Sequence, residues 1–464
     1  MTGLCTDMYE VRMAAAYLRR AMTGPATFSL FARRLPTDRG FLVAAGLTEA
    51  LDFLEGFRFE EDEIEYLRQA TALDAGSLAA LREMTFTGDV WAVPEGRLVF
   101  ADEPLLEVTA PFAEAQLVET AVLNVITFGT TVASKAARCR LAAPDAELID
   151  FAFRRTQGLG AAATVARCSA IAGFAATSNL AAARRYGLHP SGTMAHSYIE
   201  AFPDERSAFR AFATDFPDNP ILLVDTYDTE AGLHAAVDVA AELGLTGRLG
   251  VRLDSGDLAA LAGRARQILD AGGLRQAMIV ASGGLDEHAV AALVAQGAPI
   301  DAYGIGTRMG VSADAPSLDS VYKLVAYGDR PVMKLSTGKV TWPGAKQVYR
   351  HPRADDGDVL ALREEPAPSG REPLLVPVML GGRRTAPGDP VGELRAARDR
   401  CATELNWLPE AARRLTGPVP VPVHATTPLR TLAARLTAKL CAPPGHAQYG
   451  PVAARSAPAP QETP

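Results

Sequence analysis

The sequence predicts an α/β protein in which an irregular, TIM-like α/β barrel is joined to a second α+β domain built from both ends of the chain. Four short apolar runs, spaced 23 to 29 residues apart, alternate with Ala-rich helical stretches in the middle of the sequence. That spacing corresponds to one strand–helix unit and indicates parallel strands with crossover helices. On either side of this region, short β-prone runs are separated by Pro and Gly, which is typical of an antiparallel sheet.

The 464 residues are enough for two or three domains, each with a sizeable core. We assign residues 1–125 together with 325–440 to the α+β domain and residues 126–324 to the barrel. Residues 442–464 are rich in Pro and Ala and offer little to bury, so they are predicted to be a disordered tail.

The first predicted element is a helix over residues 6–22, with Thr6 as its N-cap and Asp7 and Glu10 in its first turn. A long helical stretch over residues 113–140 leads into the barrel. The clearest barrel strands are ILLVD (221–225), LGVRLD (249–254), MIVAS (278–282) and DAYGIG (301–306), and beyond Val321 the strand-like runs are YKLVAYG, RPVMKLS, KVTWPG, KQVYR and LLVPVML, followed by helices over 389–440.

Composition excludes several classes of protein. The net charge is −8 and no run of Lys and Arg resembles a nucleic-acid footprint. No stretch of 18 apolar residues is present to span a membrane, and the N-terminus lacks the apolar run of a secretory signal. The five cysteines are scattered without a C-x-x-C pair, which favours reduced thiols and a cytoplasmic protein.

Charged side chains recur at the predicted carboxyl ends of the barrel strands, where parallel barrels carry their chemistry. The carboxylate oxygens of Asp225 and Asp254 suit the binding of a Mg²⁺-diphosphate. A structural role, in which they cap helices or pair with Arg252, accounts for these two residues equally well. The groups are Arg154 and Arg155 after IDFAF, Asp225 after ILLV, Arg252 inside the strand of GVRLDSGD, and Asp254 and Ser255 at the tip of that strand.

Two glycine-rich turns follow successive strands and have the chemistry of a phosphate cradle. Glycine lets the backbone approach an anion, and the helix that follows points free N–H groups at it. Either turn alone is explained by a tight strand-to-helix connection, but two in succession beside arginines favour phosphate binding. The turns contain Gly283 and Gly284 in ASGGLDE, and Gly304, Gly306 and Thr307 in YGIGTR.

His196 follows a Gly-Thr turn that includes Thr193, among small and hydroxyl-bearing residues. A lone histidine is more often structural than catalytic, so these residues alone do not assign it a role.

In these segments the sequence closely resembles the nicotinate phosphoribosyltransferase family. The resemblance implies a type II phosphoribosyltransferase fold, a head-to-tail homodimer with shared active sites, and a cytoplasmic enzyme of NAD salvage in the ATP-dependent ligase class. It implies formation of nicotinate mononucleotide and pyrophosphate from nicotinate and phosphoribosyl pyrophosphate (PRPP), with Mg²⁺ and ATP. The matching segments, in the family's order, are TDMYE (6–10), DFAFRRTQG (150–158), GTMAHSYIEAF (192–202), VDTYDT (224–229), GVRLDSGDL (250–258), ASGGLDE (281–287) and YGIGTRM (303–309).

The resemblance also implies roles for individual residues. Tyr9 of one subunit and Phe151 of the other would sandwich the pyridine ring, because aromatic side chains stack on flat heterocycles. His196 would be phosphorylated by ATP and couple ATP hydrolysis to product formation. By the same resemblance, Arg154 would bind the nicotinate carboxylate with support from Arg155 and Thr156, and Thr193 would contact substrate. Asp225 would bind Mg²⁺ or the ribose hydroxyls, Asp254 is a second metal candidate, and Lys323 would add positive charge nearby. The residues that would bind PRPP are Arg252, Asp254 and Ser255 for the ribose and pyrophosphate, and Gly283, Gly284, Gly304, Gly306 and Thr307 for the 5′-phosphate.

Ser178 bears on the choice of pyridine. Related nicotinamide-using enzymes carry an acid in the comparable segment, where it accepts a hydrogen bond from the amide. A carboxylate there would repel the carboxylate of nicotinate, so neutral Ser178 favours nicotinate.

Three alternatives stay open from the sequence. The same architecture serves nicotinamide or quinolinate phosphoribosyltransferases, and a catalytically silent relative would bind a nucleotide and regulate a partner. Without the resemblance, a phosphate-binding barrel lyase or isomerase is the third alternative. Such an enzyme needs a Lys or Glu base at a strand end, whereas the strand ends here offer Asp and Arg.

Overall fold

The computed structural model describes residues 2–245, 249–336 and 338–441, so the predicted tail at 442–464 lies outside the described residues. The predicted fold class is confirmed: a seven-stranded parallel sheet forms an irregular, partly open barrel, and a second seven-stranded sheet combines strands from both ends of the chain. Within the described part of the chain, no helix is long and apolar enough to cross a membrane.

The N-terminal part alternates short helices with the first strands of the antiparallel sheet. The predicted N-cap Thr6 is wrong, because Asp7 holds that position and the Thr6 hydroxyl donates to the Glu10 carboxylate. The elements are α1 (Met8–Arg19), β1 (Pro25–Ala32), β2 (Leu42–Val43), α2 (Leu47–Glu55), α3 (Glu61–Ala70), α4 (Ala75–Arg82), β3 (Asp89–Ala92), β4 (Leu98–Val99), β5 (Pro104–Pro111), α5 (Phe112–Leu117) and α6 (Glu119–Ala142).

The barrel consists of parallel strands in the order β8-β7-β6-β12-β11-β10-β9. Its strands are β6 (Glu147–Asp150), β7 (Ala176–Thr177), β8 (His189–Pro190), β9 (Ile221–Leu223), β10 (Gly250–Leu253), β11 (Met278–Ala281) and β12 (Ala302–Ile305). The helices are α7 (Leu159–Ile171), α8 (Leu180–Tyr186), α9 (His196–Glu200), α10 (Glu205–Asp215), α11 (Thr229–Leu243), α12 (Leu258–Ala271), α13 (Glu287–Ala295) and α14 (Thr307–Gly310). The four predicted barrel strands correspond to β9 to β12, in keeping with the mostly apolar sequence of buried parallel strands.

After the barrel the chain returns to the antiparallel sheet and adds a four-stranded sheet. The run RPVMKLS is a strand only at Arg330–Pro331, since Pro331 has no N–H to extend the ladder, and no strand forms in KVTWPG within the described residues. The elements are β13 (Ser320–Tyr327), β14 (Arg330–Pro331), β15 (Lys346–Arg350), β16 (Asp358–Leu362), β17 (Glu372–Pro373), β18 (Val376–Leu380), β19 (Arg383–Arg384), α15 (Pro390–Trp407), α16 (Glu410–Arg413), β20 (Val423–Ala425) and α17 (Thr427–Cys441).

Strand pairing ties the two ends of the chain together. The large antiparallel sheet has the order β14-β13-β1-β5-β3-β18-β19, so β1 lies between β5 and a strand that follows the barrel. The smaller sheet has the order β17-β15-β16-β20, and β2 pairs with β4. Buried ion pairs join other parts of the fold: Arg167 on α7 pairs with Glu95, and Lys135 and Arg138 on α6 pair with Glu287 on α13.

Candidate active site

Arg252 lies at the centre of the polar cluster formed by the barrel strand ends. In β10, Val251 and Leu253 are buried in the core beneath the outer helices, so Arg252 between them points to the opposite face of the strand. Its Nε donates to Ser282 Oγ at 2.7 Å, and its side chain is only 15% exposed. One terminal nitrogen donates to Thr193 Oγ1 at 3.0 Å and the other to Asp254 Oδ1 at 2.6 Å. These bonds fix the guanidinium plane.

Asp254 and Asp225 are joined at the ends of neighbouring strands. Asp225 Oδ2 accepts from the Asp254 backbone N–H and from Ser255 Oγ, both at 2.8 Å. Asp225 Oδ1 is buried and has no hydrogen-bond partner among the described residues. Neither carboxylate caps a helix, because Asp228 and Asp257 take those positions on α11 and α12. Asp225 therefore keeps one oxygen available for a ligand.

Ser282, which follows β11, links the arginine to the carboxylate. Its hydroxyl accepts from Arg252 and donates to Asp254 Oδ1. Burial alone raises the pKa of Asp254, but the Ser282 hydrogen bond and the charge of Arg252 outweigh burial and hold that pKa below its usual value. Asp254 is thus an ionised carboxylate in a partly buried position.

The ASGG turn approaches this cluster closely. Gly283 has a φ of +90°, and a Cβ at that position would overlap the carbonyl oxygen of Asp254, so only glycine fits. Gly284 also has a positive φ, and space is open around it. The following helix α13 is capped by Asp286, whose carboxylate accepts from the N–H groups of His288 and Ala289. The Asp286 carboxylate therefore uses two of the N–H groups at the start of α13 that the sequence pattern predicts to bind phosphate.

His196 is the first residue of α9 and borders the same space. Its Nδ1 lies 3.2 Å from the Thr226 hydroxyl, while Nε2 has no partner among the described residues. The ring is half-buried, so it remains accessible from the cavity that it lines.

A cavity of about 360 Å³ brings together much of the predicted site. Asp254 is the only acidic residue in its lining, and Arg252 already pairs with it. Arg154 is exposed after β6 and makes no ion pair within the described ranges, so its charge is free for a ligand. The lining residues are Phe151, Phe153, Arg154, Ser178, Gly192, Thr193, Met194, Ala195, His196, Leu223, Arg252 and Asp254.

Other predicted residues lie near the cavity without lining it. Thr156 donates to the Ala152 carbonyl and stabilises the turn after β6, while Arg155 is exposed on the same turn. Gly304 lies within β12 rather than in the turn after it, and Gly306 is the N-cap that precedes Thr307, the first residue of α14.

Tyr9 and Lys323 belong to a different part of this chain. Tyr9 is 48% exposed on α1 and lines a cleft with Glu119, and the Lys323 ammonium lies 3.7 Å from the Glu119 carboxylate. Burial, together with Glu119 and Glu10, raises the pKa of Tyr9. A single chain therefore does not bring Tyr9 or Lys323 to the cavity that contains Arg252.

The sequence patterns did not assign a role to Ser282, Thr226, Phe153 or Met194, which line the cavity or form hydrogen bonds with residues that line it. Ser282 follows the apolar run MIVA and Thr226 follows the run ILLVD, and that position at a strand end was the available signal. Phe153 and Met194 carry no such signal, because apolar residues are common beside any barrel.

Comparison with known proteins gives consistent matches over most of the chain. Residues 4–127 match the family model described as nicotinate phosphoribosyltransferase (NAPRTase) N-terminal domain, and residues 146–336 match the nicotinate phosphoribosyltransferase (NAPRTase) family. The chain is 47% identical over 416 residues to nicotinate phosphoribosyltransferase pncB2 of Mycobacterium tuberculosis, covering 89% of each protein. It is 42% identical over 376 residues to the Bacillus subtilis nicotinate phosphoribosyltransferase, covering 78% of this chain and 76% of the relative.

The fold is also similar to a solved structure. The crystal structure of human nicotinic acid phosphoribosyltransferase superposes with a TM-score of 0.81 at 30% identity. The match covers 93% of this chain and 99% of the human chain.

Proposed function

The chain belongs to the nicotinate phosphoribosyltransferase family, and we propose that it joins nicotinate to PRPP to form nicotinate mononucleotide and pyrophosphate in NAD salvage. The observation that carries the proposal is the cavity beside Arg252. It combines an aromatic ring, Phe151, with an unpaired guanidinium, Arg154. A flat aromatic carboxylate fits that combination, because arginine binds carboxylates in a planar, charge-assisted geometry.

The choice of pyridine follows from the charge of the lining. Ser178 lines the cavity with a neutral hydroxyl, and the one carboxylate in the lining is already paired with Arg252. An uncompensated acid that would repel nicotinate is therefore absent from the described lining. Quinolinate, with two carboxylates, would call for more positive charge than Arg154 and Arg252 supply.

In the proposed reaction the pyridine nitrogen attacks C1 of the ribose and pyrophosphate leaves. Positive charge develops on the ribose in the transition state, and the ionised Asp254 carboxylate would stabilise it. Arg252 and Ser255 would hold the ribose and pyrophosphate oxygens. Because neither reactant needs a proton moved, catalysis would come mainly from positioning and electrostatics.

Asp225 is the residue that best fits Mg²⁺. Its buried, unpartnered Oδ1 is the kind of hard oxygen ligand that Mg²⁺ prefers, and Mg²⁺ is commonly held by one or two carboxylates with substrate oxygens and water. Bound Mg²⁺ would supply positive charge to the pyrophosphate. The main-chain groups of Gly283, Gly284, Gly306 and Thr307 would hold the 5′-phosphate.

ATP use through His196 is a further part of the proposal. An imidazole nitrogen would attack the γ-phosphorus of ATP, forming a P–N bond as the bond to ADP breaks, and water would later release phosphate. Nε2 is the available nitrogen, since Nδ1 is close to Thr226. If Nδ1–H donates to Thr226, Nε2 carries the lone pair that this attack needs.

Tyr9 and Lys323 would serve the active site of a second copy in a cytoplasmic homodimer. The proposal is supported by the exposure of Tyr9 and by its separation from the Arg252 cavity in one chain. Mixing Tyr9→Ala with Arg252→Ala subunits tests it. Recovered activity in the mixture is expected, because one hybrid site would contain both wild-type residues, whereas no recovery would contradict shared sites.

The experiment that tests the reaction is an endpoint assay. The protein is incubated with PRPP and Mg²⁺ and with nicotinate, nicotinamide or quinolinate, each with and without ATP. We expect nicotinate mononucleotide from nicotinate, more of it with ATP, and a His196→Ala variant that loses only the ATP effect. A His288→Ala variant is the control, because His288 is an exposed histidine on α13. Product from another pyridine, or none from any, would refute the proposed function.

A further inference from the structure

We infer that Gly304 supports pyridine binding by positioning the Phe151 ring, an inference that rests on the proposed function, in which Phe151 supplies the aromatic surface for nicotinate. Phe151 lines the cavity beside Arg252, whereas Gly304 lies behind it in β12 and does not line the cavity. Gly304 would therefore act through Phe151, as a positioning residue.

The space around Gly304 is filled by the phenylalanine ring. A Cβ at this position would lie 2.5 Å from Cδ2 and Cε2 of Phe151 and 3.3 Å from the Cβ of Ser282. The φ angle of Gly304 is not in the left-handed region, so its backbone conformation suits any residue. Glycine is required here for space alone.

Two further glycines extend the same packing surface. A Cβ at Gly306 would lie 3.0 Å from the Phe151 carbonyl oxygen, and one at Gly310 would lie 2.5 Å from the Ala152 Cβ. The Phe151 backbone N–H donates to the Ile305 carbonyl at 2.9 Å, which holds the two segments together. The segment from β12 to α14 thus forms a glycine surface on which the turn after β6 lies.

An added methyl group at residue 304 would move the ring. Carbon atoms in contact are normally about 3.5–4.0 Å apart, so the Phe151 ring would shift by roughly 1 Å. The ring has little room to move towards Arg252, whose guanidinium carbon lies 5.4 Å from the ring centroid. The added methyl group has little room to move towards Ser282, whose Cβ would lie 3.3 Å away. A displacement of this size in a substrate-positioning group costs up to about 100-fold in kcat/KM. Because Phe151 would contact the pyridine and not PRPP, the loss should appear as a higher KM for nicotinate.

This role differs in its consequences from a role in holding the 5′-phosphate. If Gly304 seats Phe151, an alanine at residue 304 weakens the use of nicotinate and leaves PRPP nearly unaffected. If Gly304 holds phosphate, the same change weakens the use of PRPP.

The first test compares the KM values of the two substrates in Gly304→Ala. We expect the KM for nicotinate to rise about 10- to 100-fold and the KM for PRPP to change by less than about twofold. Gly263→Ala on α12 is the matched control, since a Cβ there meets no atom within 4 Å. A larger rise for PRPP than for nicotinate, or no change in either, would overturn the inference.

The second test measures the contact without using activity. Thermal unfolding is recorded for wild type, Gly304→Ala, Phe151→Leu and the double variant. Gly304→Ala is expected to lower the Tm, because overpacking destabilises a filled site, and to lower it by less when Leu replaces the ring. Equal effects in both backgrounds would overturn the proposed contact.

The wild-type assay separates the two proposals. A wild-type protein without nicotinate activity overturns the proposed function and, with it, the claim about pyridine binding. An active wild type with an unaltered Gly304→Ala variant overturns only the role of Gly304.

Discussion

Removing the Ser282 hydroxyl should disable the charged cluster without removing a charge. Ser282 is 2% exposed, and its hydroxyl has an ionised partner on each side, Arg252 as donor and Asp254 as acceptor. In Ser282→Ala both partners remain, but Arg252 Nε loses its acceptor and Asp254 loses a donor. The guanidinium and the carboxylate are then held less firmly in the geometry proposed to bind PRPP.

The size of the effect follows from the bonds that are lost. A hydrogen bond to a charged group contributes about 1.5–3 kcal/mol. If the proposed transition state depends on one such bond, kcat/KM for PRPP falls by about 10- to 150-fold, since 1.36 kcal/mol corresponds to tenfold. Ser169→Ala is the matched control, because Ser169 is equally buried but donates only to a backbone carbonyl.

The variant should also alter the pH dependence of stability. The pKa of Asp254 is below its usual value in the folded protein, so its ionisation stabilises the fold above the unfolded pKa of about 3.9. That contribution is lost as pH falls through the lower, folded pKa. In Ser282→Ala the folded pKa should rise towards the ordinary value. The Tm difference from wild type should therefore be largest above about pH 4 and shrink below it.

Steady-state kinetics with varied PRPP and thermal unfolding between pH 3 and pH 7 check these expectations. A Ser282→Ala enzyme with the wild-type kcat/KM for PRPP would refute the positioning role. A Tm difference that stays constant over this pH range would refute the assigned effect on Asp254.

Three further changes probe separate parts of the molecule. Arg154→Gln should raise the KM for nicotinate by about 10- to 150-fold with little effect on PRPP, since one charged partner of the carboxylate is lost; an unchanged nicotinate KM in initial-rate assays would contradict this. Asp225→Asn should raise the Mg²⁺ concentration needed for half-maximal rate, and an unaltered Mg²⁺ titration would argue against Asp225 as a ligand. Glu95→Gln should destabilise the fold by about 3–5 kcal/mol in denaturant titration, because it leaves Arg167 buried without its charge partner, and wild-type stability would show that the ion pair is dispensable.

The barrel could be predicted from sequence because its strands are buried on both faces. ILLVD, LGVRLD, MIVAS and DAYGIG are mostly apolar runs, and each contains a strand of the structure. The very short strands outside the barrel, which form only one or two residue pairs with a neighbouring strand, were harder to predict. Where Pro331 interrupts a run, the ladder cannot extend, and a β-prone composition overstates the strand.

The charged part of the site was also accessible from sequence, since Asp225 and Asp254 each end a predicted strand and Arg252 lies two residues before Asp254. Their bonding pattern was not accessible, because it depends on Ser282, a residue type that ends many strands without any role. Gly304 illustrates a different limit. Its sequence context is that of a phosphate turn, and only its position within β12, behind Phe151, reveals that it contacts a ring.

The sheet that joins both chain ends has a consequence for how the protein emerges from the ribosome. Ala26 of β1 pairs with Ala110 of β5 and, on its other side, with Tyr327 of β13, whereas the barrel strands are all encoded between Glu147 and Ile305. At about 5–20 residues per second, the second neighbour of β1 is synthesised roughly 15–60 s after β1 itself. During that interval the barrel can fold while one edge of β1 exposes unpaired backbone groups, and such an edge recruits other chains. The nascent N-terminal half is therefore expected to expose an unpaired strand edge until β13 is made.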